Sequence, residues 1–579
     1  MIDARARTTP RAMASGDRVS ASLIAWPGWL VCCALMLAAL VFRVVLMTTV
    51  YAHIDSDEAI IGLMAYHIGA GDRPLLYDGQ PYQGSLEAYL AALAFQLWGA
   101  GDFTLRLPAL AFSVGFVGAV YALGAALYGR RNAVLSALFV AFGPGLLIFH
   151  STAAGYGYIE VMVCGAILLL LAARYPDPRA VPLPMALAGG ALAGVGLWME
   201  PLMAEYLAPL TLAYLLPLLS AWRATSFAGW FRVLRALAVA AAGTLIGAAP
   251  LLLYNLNNHG ATLAYLYRNG RGGDHLAVAV HLVSQALPIV LGLAIPHSGQ
   301  EVATRLANAH PAAYLVGLVG GAYILGRLVL GPAGLLPRIA SLLRGQESGE
   351  AVFSSSASMS GMSRRTDSDA SLPARNRDGS LALFAISCLL FFVLSRFGAG
   401  WSSTSLPRYL LPLYTVTPLV VDMLIPRASG RRATGVALLS VGLLCLAGLS
   451  LTMDLPGNER AQRPIDGLVR VLHEDGVRAA YTNYWIAYRL SFESQGRIAG
   501  LPVNGLRLAR VRIPGDLATA AHLPTNHLAW IVYRDSPDER AFRRLLRRRH
   551  INAHRVAWEG LVVYDHLSRP LRAVGRYQQ

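Results

Sequence analysis

Asp55, Asp57 and Glu58 fall in the run Asp55-Ser56-Asp57-Glu58, a few residues beyond the first long apolar stretch of the chain. Carboxylates crowded at a bilayer edge are costly, so their retention points to binding or chemistry. Glu87 joins them from the same loop, and His150, Tyr156, Tyr158 and Glu160 come from a second loop on the same side. Glu200 and Glu205 flank a third loop; Tyr254, Asn255, Asn257, His259, Arg268 and Arg271 occupy a fourth; Arg396 and Arg408 border a fifth. Acids and arginines at one depth on one face can deprotonate an acceptor and hold an anionic leaving group. Glycosyl transfer from a lipid-linked sugar phosphate needs both functions, and a lipid donor explains a site at the membrane surface.

The elements that position these groups are membrane helices. Of 579 residues 55% are apolar and only 14% charged, with a mean hydropathy of +0.47, far from the roughly 25% charge of soluble domains. About eleven apolar runs reach the roughly 17–25 residues that cross a bilayer: 25–48, 104–127, 132–150, 157–173, 182–199, 203–221, 232–254, 312–331, 381–398, 408–425 and 433–453. Two apolar stretches, 85–98 and 276–296, read instead as a juxtamembrane helix and an interfacial or re-entrant segment. The first run is longer than a signal-peptide core and lacks a cleavage pattern, so it reads as a retained span. Cys32, Cys33, Cys164, Cys388 and Cys445 all fall in spans, which implies neither disulfides nor a zinc framework.

The net charge of +16 is topological information. The 49 basic residues are all Arg and gather at span ends: Arg5, Arg7, Arg11 and Arg18 in a basic tail (1–24), then Arg130 and Arg131, Arg223, Arg232 and Arg235, and Arg427, Arg431 and Arg432. A cytoplasmic N-terminus puts them all inside, satisfying the positive-inside rule and excluding nucleic acid as the partner. The acidic loop (49–103) is then outside. Residues 345–380, Ser-rich and poor in aromatics, read as a disordered cytoplasmic linker. Beyond the spanning region (25–454), residues 455–579 alternate short apolar runs such as Leu528 to Tyr533 and Leu561 to Tyr564 with charged helical stretches such as Asp538 to Arg549. That pattern predicts a small extracytoplasmic α/β domain. Its aromatic run Tyr481, Tyr484, Trp485 and Tyr488 has near-helical spacing and reads as core or interface rather than as a site.

Several separated motifs carry a resemblance. Asp57-Glu58 with Ala65, Tyr66 and Gly69, the stretch Tyr77-Asp78-Gly79-Gln80-Pro81-Tyr82-Gln83-Gly84-Ser85-Leu86-Glu87, Leu105-Arg106-Leu107-Pro108, Gly129-Arg130-Arg131, Glu160 and Pro407-Arg408-Tyr409-Leu410-Leu411-Pro412 occur in order over about residues 25–425. Together they resemble the GT-C glycosyltransferases of the protein mannosyltransferase and aminoarabinose transferase type. The resemblance implies a polyprenyl-phosphate sugar donor, transfer with inversion, an extracytoplasmic protein, lipid or glycan acceptor, and a bacterial cytoplasmic (inner) membrane. It makes Asp57 the expected catalytic base and Glu58 its partner, with Glu160 in the place of the family's other acidic residue as the third expected catalytic residue. Asp55, Tyr82, Glu87, Tyr158, Asn255, Arg268 and Arg408 are the expected substrate-binding residues, Arg408 for the donor phosphate. Two departures are Glu160, where members often carry Asp, and the extra Asp55. The carboxylate spacing matches no metal motif, and a divalent cofactor is left open.

Two other classes compete. A lipid or glycan flippase would carry mid-membrane charges or interrupted helices in repeated halves, whereas here the charges concentrate at external span ends. A scaffold accounts for residues 455–579 but gives the acidic loop no task.

Overall fold

A computed structural model of the chain describes residues 26–49, 51–220, 226–269, 274–291, 374–395, 407–424 and 465–573. The runs expected to span at 312–331 and 433–453, most of the 345–380 linker, the basic tail, Arg271 and Arg396 lie outside the described residues.

Three described helices are long and apolar enough to cross a membrane: Gly28–Thr48, Leu107–Tyr128 and Phe227–Gly247. They make the chain a multi-pass membrane protein. Gly28–Thr48 and Phe227–Gly247 leave Trp29, Leu37, Val41, Phe231, Leu234 and Leu245 exposed, as lipid-facing surfaces require. Leu107–Tyr128 is the most buried of the three and packs centrally. Leu86–Trp98, Leu183–Met199, His275–Ala286 and Leu381–Leu394 are shorter apolar helices.

Several expected spans differ in the structure. The run 132–150 is split into Arg130–Phe142 and Gly145–His150, because Pro144 lacks the N–H that would continue the helix. The run 232–254 becomes Phe227–Gly247 followed by Ala249–Asn257, with Pro at the start of the second helix. Residues 408–425 form a 3-10 helix, Arg408–Val416, that contains Pro412, and then Thr417–Leu424. The stretch from 276 is a helical path in three short pieces, His275–His281, Leu282–Ala286 and Leu287–Val290.

Arg43 lies well inside the first spanning helix rather than at a span end, where the sequence concentrates its charges. Arg43 is fully buried and donates to Ala141 O at 2.8 Å, Val140 O at 3.1 Å and Ser151 Oγ at 3.3 Å. It caps the carbonyls orphaned where Arg130–Phe142 breaks, so its charge meets the negative end of that helix.

Leu183–Met199 and Phe227–Gly247 touch backbone to backbone. A β-carbon on Gly190 would meet Ala240 O at 2.0 Å, and one on Gly194 would meet Thr244 O at 2.2 Å, with Gly243 and Gly247 answering from the other side. Small residues four apart on both partners permit this close crossing.

Residues 465–573 form the expected α/β unit around a six-stranded sheet of order β3-β2-β1-β4-β6-β5. The strands are β1 Ala479–Thr482, β2 Ala499–Asn504, β3 Arg507–Leu508, β4 Leu528–Tyr533, β5 His554–Trp558 and β6 Leu561–Asp565. β1 pairs in parallel with β2 and β4, and β5 and β6 form an antiparallel hairpin. Tyr481 stacks on Trp530, and Phe542 packs at a tilt between Trp530 and Tyr564 in its core. The helix Tyr484–Glu493, capped by the Asn483 side chain, leaves β1 and lies against Ser56–Ala70, with Phe492 stacked on Tyr66 at 5.4 Å.

Candidate active site

Asp55 starts the helix Ser56–Ala70 through a capping box. Its Oδ1 accepts the Glu58 N–H at 2.9 Å, while Glu58 Oε1 accepts the Asp55 N–H at 3.2 Å. The motif satisfies two orphan donors and stacks acids on the positive end of the helix.

The three carboxylates then have different environments. Glu58 is buried and spends both oxygens: Arg106 grips it with Nε and Nη2, each at 2.5 Å, and the Ala154 N–H donates at 2.9 Å. Asp55 gives its second oxygen to the Tyr156 hydroxyl at 2.9 Å. Burial, reinforced by the Glu58 and Asp57 charges, pushes the Asp55 carboxyl up to about 7. Asp57 accepts one side-chain hydrogen bond among the described residues, from the Tyr484 hydroxyl to Oδ1 at 2.5 Å. Its Oδ2 accepts no hydrogen bond among the described residues.

Everything behind Asp57 is held by backbone contacts. The Tyr77 hydroxyl donates to Asp57 O at 3.1 Å. The turn at 154–155 is pinned by Glu58, by Glu87 Oε2, which accepts the Gly155 N–H at 2.7 Å, and by Gln83 Nε2, which donates to Gly155 O. Gly155 has φ +91°, and a β-carbon there would press Ile61 at 2.9 Å and Asp57 O at 3.3 Å; only glycine suits that spot. Glu160 is buried with neither carboxylate oxygen hydrogen-bonded, and its charge bears on Glu87. Burial and Glu160 together hold the Glu87 carboxyl well above the usual range.

A second cluster surrounds Arg408. Its guanidinium lies 5.3 Å from the Tyr409 ring centroid with Tyr158 and Tyr82 around its charge, and its buried Nε has no hydrogen-bond partner. Tyr158 stacks on Tyr156 at 6.1 Å, so one aromatic pair links this cluster to Asp55. Burial pushes the nearby Glu200 carboxyl up to about 8 against the pull of Arg408. Tyr82 stacks on Tyr265 at 4.8 Å.

Two expected binding residues stand apart. Asn255 spends its amide on Leu251 O and on Thr262, whose hydroxyl in turn donates to Pro81 O, so it braces the Tyr82 loop. Arg268 is exposed and donates to Ala264 O in its own helix.

Three further residues join the site: Tyr484, which the sequence reads as core or interface, Arg106, which it reads only as part of a span-entry motif, and Arg512, for which it offers no reading. Tyr484 and Arg512 belong to the C-terminal unit. Arg512 Nη1 donates to Gly79 O at 2.9 Å, with its guanidinium 5.7 Å from the Tyr77 ring centroid, and Arg510 donates to the same carbonyl. Arg106 was visible in sequence as a charge opening a span, itself a functional signal. The aromatic run around Tyr484 was visible too, but which surface it meets is a tertiary fact.

The solved structure of ArnT from Cupriavidus metallidurans bound to undecaprenyl phosphate aligns with 95% of this chain and 98% of that one, at a TM-score of 0.54 and 13% identity. The fold is GT-C. Apo ArnT from the same organism aligns with 90% of this chain and 97% of that one, again at 0.54 and 13%. No family model and no curated protein matches the sequence. The GT-C frame is the one expected from the motifs, and it carries the acidic loop, the Arg408 cluster and the C-terminal unit within one chain.

Proposed function

We propose that the protein is a membrane glycosyltransferase that moves a sugar from a polyprenyl-phosphate donor to an extracytoplasmic acceptor. The observation that carries this reading is the division of labour among the acids: Glu58 and Asp55 are consumed by structure, and Asp57 keeps one carboxylate oxygen available. Asp57 Oδ2 takes the acceptor's proton as its oxygen attacks the anomeric carbon. The bond from that carbon to the donor phosphate oxygen breaks from the opposite face, which inverts the configuration. Arg408, buried with a spare Nε among tyrosine rings, holds the phosphate released. The likeness to ArnT, crystallised with undecaprenyl phosphate, supports a polyprenyl carrier. The arginine distribution supports a bacterial inner membrane with the N-terminus inside and the acidic loop and C-terminal domain outside.

The test is transfer of labelled sugar from polyprenyl-phosphate carriers in proteoliposomes holding matched amounts of wild type, Asp57→Asn or Arg408→Ala. Asp57→Asn abolishes transfer while still binding carrier, and Arg408→Ala weakens carrier binding. Full activity in folded Asp57→Asn removes the base assignment. Carrier movement across the bilayer without any transfer would establish the flippase reading instead.

A further inference from the structure

Far along the chain from the acidic loop, three metal-competent side chains converge within the C-terminal unit. Asp475 lies in the turn after the helix Asp466–Glu474, His554 on the edge strand β5 and Asp565 at the end of β6. Their ligand atoms all lie within 4.8 Å of one another. His554 and Asp565 are directly opposed across the hairpin, with His554 Nδ1 2.8 Å from Asp565 Oδ1.

A cross-strand ion pair explains that one contact and leaves two facts over. Asp565 is fully buried, and its Oδ2 has no hydrogen-bond partner among the described residues, an arrangement that costs the desolvation of a charged oxygen. Asp475 adds a second carboxylate at the same point, where it repels Asp565. One imidazole does not balance two acids, whereas a divalent cation does. His566, held at φ +45°, brings another imidazole whose ring centroid is 6.1 Å from that of His554.

We propose that Asp475, His554 and Asp565 form a structural site for a divalent transition-metal ion of the zinc type, with His566 as the available fourth ligand. The donor set decides the class: imidazole nitrogen with carboxylate oxygen suits zinc, whose bonds of about 2.0–2.2 Å fit among atoms at this spacing after small side-chain rotations. Calcium and magnesium prefer oxygen alone. The ion clamps the β5–β6 hairpin, at the sheet edge, to the turn that precedes β1. Residues from the two ends of the domain are thereby tied together, which stabilises the folded form by mass action.

The experiment uses the full-length protein in detergent, stripped with a chelator and titrated with Zn²⁺ against a chromophoric competitor, with thermal unfolding followed in parallel. Wild type binds an equivalent of Zn²⁺ that is lost in both His554→Ala and Asp475→Asn, and Zn²⁺ raises its unfolding midpoint but not theirs. Both substitutions are at solvent-accessible positions, and coelution with wild type in size exclusion verifies their fold. Asp57→Asn retains the equivalent. Absence of bound Zn²⁺ in the wild type overturns the proposal. So does binding that survives both variants, or that disappears with Asp57→Asn instead.

Discussion

The Tyr484 hydroxyl donates to Asp57 Oδ1 at 2.5 Å, joining residues 427 positions apart. The same pair of segments is tied a second time, by Ser56 Oγ donating to Tyr484 O at 2.7 Å. The C-terminal unit is therefore part of the acidic site rather than an appendage to it.

Tyr484→Phe removes that donor and keeps the ring. A hydrogen bond to a charged group contributes roughly 1.5–3 kcal/mol, so kcat is expected to fall roughly 10- to 100-fold through loss of Asp57 orientation. Donor KM stays unchanged, because the Arg408 cluster is untouched. Steady-state transfer with separate donor and acceptor titrations checks this; wild-type kcat in the variant would make the contact incidental.

Glu58→Gln leaves the Arg106 charge buried without its partner. Breaking one side of such a pair costs about 3–5 kcal/mol, while the capping box itself survives, because a Gln carbonyl oxygen still accepts the Asp55 N–H. The expected readout is a large drop in the unfolding midpoint. Replacing Arg106 and Glu58 together with Met and Gln recovers part of it, whereas additive losses in that double-mutant cycle would deny the coupling.

Asp55 predicts a pH dependence of stability. Its folded-state carboxyl is raised to about 7 from 3.8, so the native state binds more protons than the unfolded chain between those values. The Asp55 contribution is fully present below the lower value and is lost as pH rises through about 7. Asp55→Asn keeps an N-cap acceptor but does not titrate. The fall in unfolding midpoint from pH 5 to 8 should be shallower in the variant; parallel curves would exclude Asp55 as its source.

Gly194→Ala tests the helix crossing. The added methyl would lie 2.2 Å from Thr244 O and 2.7 Å from Ala248 N, so the helices must separate. Overpacking of this kind costs about 1–3 kcal/mol. Gly189→Ala, whose β-carbon would meet only Leu168 and Leu171 side-chain carbons at 3.6 Å, should be nearly neutral. Equal effects would contradict the close crossing.

Much of this protein was legible in one dimension. Apolar runs identify membrane helices because lipid demands long stretches without charge, and Leu528–Tyr533 reads as a strand because its short apolar run is bounded by turn residues. The acids at 55, 57 and 58 declared themselves by standing where charge is expensive. The helix break at Pro144 and the 3-10 winding around Pro412 were less visible, since membrane helices often tolerate proline and composition does not say which ones yield.

What only the tertiary structure decided is which acid remains available. Asp55, Asp57 and Glu58 are near neighbours of similar chemistry, and sequence cannot rank them. Arg106 from one helix, Tyr156 from a distant turn and Tyr484 from another domain assign each acid its partner. Those contacts depend on which surfaces pack together, and packing is set by long-range shape and burial that local spacing does not encode. The sequence by itself determined a membrane frame with acids at its surface; the fold turned two of them into structure and left Asp57 an open oxygen.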